Sequence, residues 1–301
     1  MMLILKNAQT ELKGTNTPSK NAFKGVLKLL RLPYWLMTGG LSLLTLVALQ
    51  HKTLDPQTLL LTFFSMAFIG SAGFSVNDFF DRKSDALVKP NRPIPSGEIS
   101  PKTAVSVSVF FFLLGLLQAF LLNWLCFLVV FIDSVLLVVY SAYIKRKSGF
   151  LSNLLVGGLI GTTFLYGEAA GFEAITYASL TMYPIALGSI GGNILRDILS
   201  LEGDSKTGYP TLPQRLGIEK SVRAATFFFI GCAVLSPLPY FFHVFGEKYL
   251  AFMLIWSFLL FYCSIRLLKS SFSQNDIRKT ERIMTMSMIL LPLALIIEVI
   301  A

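Results

Sequence analysis

Two stretches of this 301-residue chain carry acidic side chains at spacings suited to chemistry. The first is NDFFDRKSD, Asn77 to Asp85, where Asn77, Asp81 and Asp85 recur every fourth residue and Asp78 lies beside the stripe. On a helix those oxygens share one face. The second is RDILSLEGD, Arg196 to Asp204, where Asp197 and Asp204 stand seven apart, again on one helical face. The two read as copies, because the DxxDxxxD pattern recurs 119 residues further on, with Ser200 where the middle aspartate would fall. Oxygen donors without His or Cys suit a hard ion, magnesium before zinc or copper. Magnesium typically joins one or two carboxylates to substrate phosphates, so the pattern asks for a phosphorylated substrate. Basic residues that would complete such a site are Arg82, Lys83, Lys89 and Arg92 after the first motif, Arg196, Lys206 and Arg215 around the second, and the segment YSAYIKRK, Tyr140 to Lys147. Aimed at a diphosphate, they would stabilise the charge that develops as it leaves.

The elements that must position these residues are membrane helices. The chain is 54% hydrophobic and only 14% charged, far from the roughly 25% charged residues of a soluble domain. A spanning helix needs about 20 mostly apolar residues. Nine segments qualify: 32–50, 58–80, 102–121, 123–143, 150–171, 176–198, 222–243, 247–267 and 281–300. The expected fold is therefore all-α, a polytopic bundle of nine transmembrane helices. Only Leu122 and Asn123 separate the third from the fourth, which predicts a tight hairpin. Of the 26 Lys and Arg residues, all but Lys52 and Lys248 fall in the N-terminal tail or on alternate loops and their flanks. That positive-inside pattern places the N-terminus in the cytoplasm and, with nine spans, the C-terminus outside. Both acidic motifs then face the cytoplasm. A carboxylate at the bilayer centre costs about 2.5–3.5 kcal/mol and massed carboxylates repel, so such a group needs cations between its members.

The net charge of +9 follows from this topology and from attraction to anionic lipid, and nucleic acid is not an expected partner. Cys126, Cys232 and Cys263 lie in apolar segments at unrelated spacing, which suggests neither disulfides nor zinc. Residues 1–22, rich in Lys, Thr, Asn and Ser, read as a disordered cytoplasmic tail, and 23–301 as a single transmembrane domain. Pro90, Pro93, Pro95, Pro210 and Pro213 exclude regular helix from the loops KPNRPIPSG and KTGYPTLPQRLG, which look stiffened to cover a site.

NDFFDRKSD with RPIPSG, then YSAYIKR, then RDILSLEGDSKTGYPTLP resembles the UbiA superfamily of intramembrane prenyltransferases, over nearly the whole chain. RPIPSG, EGD and TLP are most similar to its chlorophyll synthase and digeranylgeranylglyceryl phosphate synthase branch. The resemblance implies a magnesium-dependent enzyme that ionises an isoprenyl diphosphate and passes the prenyl cation to an aromatic or lipid acceptor. It assigns Asn77, Asp78, Asp81, Asp197 and Asp204 to the metal. Asp81, Asp204 and Lys145 become catalytic. Arg31, Asp85, Arg92 and Tyr140 join Lys145 in holding the diphosphate. Ser200 departs from the aspartate common in the family and leaves the second metal's ligands open. The expected setting is an integral, multi-pass protein of the cell membrane, the inner one in a bacterium, with no obligate protein partner.

Asp133 lies halfway along the fourth segment, where an ionisable group is a functional candidate by default. It would orient the acceptor or take its proton; equally, it would hold helices together. Asn193, four residues before Asp197, and Arg196 face the same pocket, and Glu168 is a weaker candidate. A terpene cyclase of the same superfamily shares these motifs. A cation transporter would distribute ionisable groups through the membrane, whereas only Asp133 sits at mid-depth.

Overall fold

The computed structural model describes residues 22–50, 54–269 and 272–300. Except for Ala22, the expected N-terminal tail lies outside the described residues, as do His51 and Lys52. The described residues form helices and connecting turns, without strands. Eight helices are long and apolar enough to cross a membrane. They are α1 (Ala22–Leu49), α2 (Pro56–Val88), α3 (Pro101–Leu122), α4 (Trp124–Lys147), α5 (Gly149–Phe172), α8 (Leu212–Phe241), α9 (Glu247–Lys269) and α10 (Gln274–Ile300). Between α5 and α8 stand α6 (Leu187–Leu199) and the short α7 (Leu201–Thr207).

The helix starts follow local chemistry. Asp55 caps α2 by accepting from Thr58 N–H at 2.9 Å, Ser100 caps α3 through Thr103 N–H at 3.1 Å, and proline fills the next position in both. There its missing N–H costs nothing. The expected hairpin forms, with Asn123 alone between α3 and α4, where it caps α4 through Cys126 N–H at 2.8 Å. Helices close on small residues, as lipid-embedded bundles do. A Cβ at Gly39 would stand 2.3 Å from the Phe63 carbonyl oxygen, and one at Gly167 2.5 Å from that of Ser42. One apolar core gathers around Phe229 on α8 and Tyr249 and Trp256 on α9, and a second around Tyr166, Met66 and Val130 on α5, α2 and α4. Phe227 and Phe258 are more than 70% exposed on the outside, as a lipid-facing surface requires.

Four expectations need correction. The expected sixth span, 176–198, is helical from Tyr177 to Leu199 but in three pieces, α Tyr177–Met182, 3₁₀ Tyr183–Ala186 and α6. Pro184 lacks the N–H that would have continued one α-helix, so no single long helix forms there. The first span begins at Ala22, well before residue 32, and breaks at Arg31. The fourth runs on through Lys147 across a π-helical turn, Tyr140–Ile144. Finally, Pro213 does not exclude helix, because it sits in the first turn of α8. The helical path breaks instead at Gly217, whose φ of 80° suits glycine.

Candidate active site

Because α2 runs unbroken to Val88, the first motif is helical throughout. Asn77 and Asp81 do share a face: the Asn77 amide donates to Asp81 Oδ2 at 3.0 Å. Asp78, Asp81 and Asp85 are all buried, at 3–4% exposure. They divide into two groups. Arg92 bridges Asp78 Oδ1 at 2.8 Å and Asp85 Oδ2 at 2.7 Å, and Arg31 donates to Asp78 Oδ1 at 2.7 Å. The turns of residues 89–99 bring Arg92 back over the helix that precedes it, with Ser96 N–H on the Arg92 carbonyl and Ile99 N–H on that of Pro93. Arg31 reaches Asp78 from the break in α1, where its backbone adopts the left-handed conformation (φ 50°, ψ 53°) common at helix stops. Its guanidinium lies 4.5 Å from the Phe74 ring centroid. Removing one partner of a buried pair costs about 3–5 kcal/mol, so Arg31 and Arg92 are firmly held.

Asp81 belongs to the second group, behind the wall of a cavity of about 260 Å³ that Lys145 and Tyr209 line. Lys145, on the cavity wall, pairs with Asp81 Oδ2. The π-helical turn just before Lys145, where its N–H reaches the Tyr140 carbonyl, sets its direction. Asp197, Asp204, Tyr140, Asn193 and Arg196 line the same cavity. The Asn153 amide donates to Asp197 Oδ2 at 2.8 Å, Ser200 Oγ donates to Asp204 Oδ2 at 2.5 Å, and Arg196 donates to Asn193 Oδ1 at 2.5 Å. Ser152 Oγ and Thr211 Oγ1 also line it, buried and without a partner in the described structure. Such hydroxyls call for a polar ligand or water. Lys89 closes the wall between the motifs. Burial, then the neighbouring Arg92 charge, lowers its ammonium below the ordinary lysine range.

The structure thus brings Lys145, Tyr140, Asn193, Arg196, Asp197 and Asp204 together around one cavity, with Asp81 and Asn77 joined to its wall through Lys145. Asp78, Asp85, Arg31 and Arg92 form an adjoining ion-pair group. Among the described residues no three acidic, His or Cys side chains converge as a ready-made metal cluster, because cations occupy the first motif. Asp133 stands apart, accepting from Thr162 at 2.7 Å. Glu168 takes hydrogen bonds from Thr176 and Ser179 and fastens the turn after α5. Sequence reasoning missed Asn153 and Tyr209. Tyr209 donates its hydroxyl to Asp81 Oδ1 at 2.7 Å, and Lys145 Nζ lies 5.2 Å from the centroid of its ring.

The description of the UbiA prenyltransferase family matches residues 36–289. The chain belongs to that family. It is similar to the digeranylgeranylglyceryl phosphate synthase of Methanopyrus kandleri, at 34% identity over 224 residues, 74% of this chain and 81% of that protein. Its likeness to the synthase of Methanosarcina mazei is 38% over 191 residues, 63% of this chain and 66% of the relative. A solved structure concerned with digeranylgeranylglyceryl phosphate synthase in membranes superposes with a TM-score of 0.79 at 29% identity, covering 93% of this chain and 99% of that one. A UbiA homologue from Archaeoglobus fulgidus bound to GPP and Mg2+ shares the fold, with a TM-score of 0.70 at 20% identity over 90% of this chain and 99% of the other. The chain is accordingly an integral-membrane prenyltransferase.

Proposed function

We propose that the enzyme transfers the prenyl group of an isoprenyl diphosphate to a hydrophobic acceptor, with diphosphate leaving. The observation that carries this reading is Lys145, which lines the cavity shared by Asp197 and Asp204 while pairing with Asp81 of the other motif. The donor set fits magnesium: Asp197 and Asp204 offer oxygens at the cavity, Asp81 and Asn77 stand behind its Lys145 wall, and the partnerless Ser152 and Thr211 hydroxyls leave polar space beside them. Those four residues would hold the ion. Asp78, the fifth expected ligand, is engaged by Arg31 and Arg92, and its role here is to fix those guanidiniums. When bound, magnesium supplies positive charge that stabilises a departing diphosphate.

The chain's own side chains do the rest. Lys145, Lys89 and Arg196 donate to diphosphate oxygens, Lys145 through the N–H groups that its Asp81 pair leaves over. Tyr140 and Asn193 shape the wall, and the charge-balanced Arg31–Asp78–Arg92–Asp85 group keeps the first motif rigid beside it. The apolar helices keep out water that would quench a prenyl cation. Asp133 sits seven residues before Tyr140, two turns deeper on the same face of α4, and its Oδ1 has no partner in the described structure. It orients the acceptor or takes its proton.

The membrane arrangement follows the charge pattern. Residues 177–199, the sixth in order, bring the spans to nine, the N-terminus and the site face the cytoplasm and the C-terminus lies outside, with 23–301 one transmembrane domain. The relatives' names point to geranylgeranyl diphosphate as donor and a prenylated glyceryl phosphate as acceptor. The test is purified protein with magnesium, geranylgeranyl diphosphate and a panel of acceptors including geranylgeranylglyceryl phosphate, with products identified by mass. A magnesium-dependent ether product is expected. A cyclised product without acceptor would replace transfer by cyclase chemistry, and no product with any acceptor would overturn the reading.

A further inference from the structure

Tyr209 lies in the connection between α7 and α8 and reaches back 128 residues to Asp81 on α2. It is therefore a direct link from the second motif's loop to the first motif. A phenol carries one proton and a carboxylate none, so the 2.7 Å contact is a donation from Tyr209 to Asp81 Oδ1. Ser84 Oγ, 3.3 Å away, can donate into the phenol oxygen.

Counting acceptor positions shows what the contact does. Each carboxylate oxygen accepts about two hydrogen bonds. Asp81 Oδ2 receives the Asn77 amide and the Lys145 ammonium, which fill it. Oδ1 receives Tyr209 and keeps one position. Tyr209 and Lys145 both line the cavity, so Asp81 is held directly behind its wall, and Oδ1 is the oxygen there with an acceptor position to spare. The loop that carries Tyr209 is pinned: Gly149 N–H donates to the Pro210 carbonyl at 2.8 Å, and a Cβ on Gly149 would stand 2.7 Å from Thr211 Cα.

We infer that Tyr209 is a positioning residue, whose hydroxyl aims the remaining acceptor position of Asp81 Oδ1 at a divalent cation. The inference rests on the proposed site. Groups that orient metal ligands in this way are worth about 10- to 100-fold in metal affinity.

The experiment is Mn2+ titration by electron paramagnetic resonance of the full chain in detergent with inorganic pyrophosphate, where no turnover occurs. Tyr209→Phe keeps the ring beneath Lys145 and removes only the hydroxyl. It is expected to weaken Mn2+ about 10-fold with pyrophosphate affinity unchanged. In turnover, half-saturating magnesium should rise by a similar factor while kcat at saturating magnesium stays within about 3-fold. Tyr209→Ala, which also removes the ring, should weaken pyrophosphate as well. A wild-type Mn2+ affinity in Tyr209→Phe, with Asp81→Ala still abolishing Mn2+ binding, overturns the role of Tyr209 and leaves the site standing. Parallel loss of Mn2+ and pyrophosphate in Tyr209→Phe also overturns it, because that is the mark of a disordered site. Unchanged Mn2+ binding in Asp81→Ala defeats the site reading itself.

Discussion

The two copies of the acidic motif carry similar residues in different surroundings. In the first, three carboxylates at 3–4% exposure each meet a basic side chain from outside their helix: Arg31, Arg92 or Lys145. In the second, Asp197 and Asp204 line the cavity, and Asn153 and Ser200, both neutral, hold them in place. A helix that buries three carboxylates at a bundle mouth must neutralise them internally. The first copy thereby becomes a frame that fixes the cations. The second, with a serine in place of its middle aspartate, has one charge fewer, and its two carboxylates line the cavity instead of being enclosed among guanidiniums.

Single removals in each copy would test that contrast most strongly. Asp81→Ala and Asp204→Ala should each lower magnesium-dependent turnover by at least about 10² to 10³. Only Asp81→Ala should also lower the melting temperature of the detergent-solubilised protein, because it strands Lys145. Equal destabilisation by both would erase the distinction between frame and ligand-facing copy. A smaller effect should come from Ser200→Asp, which restores the repeat. It removes the donor to Asp204 Oδ2 and adds a like charge, so melting should fall without divalent ion and recover when Mn2+ is added, with Mn2+ bound several-fold tighter. An unchanged Mn2+ dependence would show that the missing carboxylate is irrelevant.

The smallest effect concerns Lys89, which stands between the copies within electrostatic reach of both Asp85 and Asp204. Its lowered value means that its charge is lost as pH rises, before the ordinary lysine value of 10.5 is reached. Pyrophosphate affinity should therefore fall a few-fold across that alkaline range in the wild type. Lys89→Arg should flatten the decline, because a guanidinium keeps its charge there. An identical pH profile in both proteins would remove Lys89 from the site.

Much of this was legible in the residues, for physical reasons. Composition dictates apolar helices, and a four-residue spacing puts Asn77 over Asp81 on any helix that continues. Features that depend on a change of hydrogen-bond register stayed hidden. The π-helical turn at Tyr140–Ile144 has no compositional mark, and the fourth segment simply reads as apolar up to its basic end. Pro184 marked the division of the sixth segment, but apolar length outweighed it. Pro213 was read as a breaker because its place in a first turn depends on where that turn starts. Tyr209 was invisible, since a lone tyrosine in a proline-bearing loop has no periodicity and its partner lies 128 residues away. The pairing of Asp78 with Arg31 and Arg92 was equally unreadable, because three segments must close on one another to create it.

The widened turn in α4 has a consequence of its own. An α-helix advances about 100° per residue, and the Lys145 N–H bonds to a carbonyl five residues back instead of four. The heading of the lysine that spans the two motifs is therefore set by the number of residues in that turn more than by their identity. Dropping any one of them would restore a regular helix and swing the ammonium about a quarter of the way round, away from Asp81, with the site's residue composition almost intact.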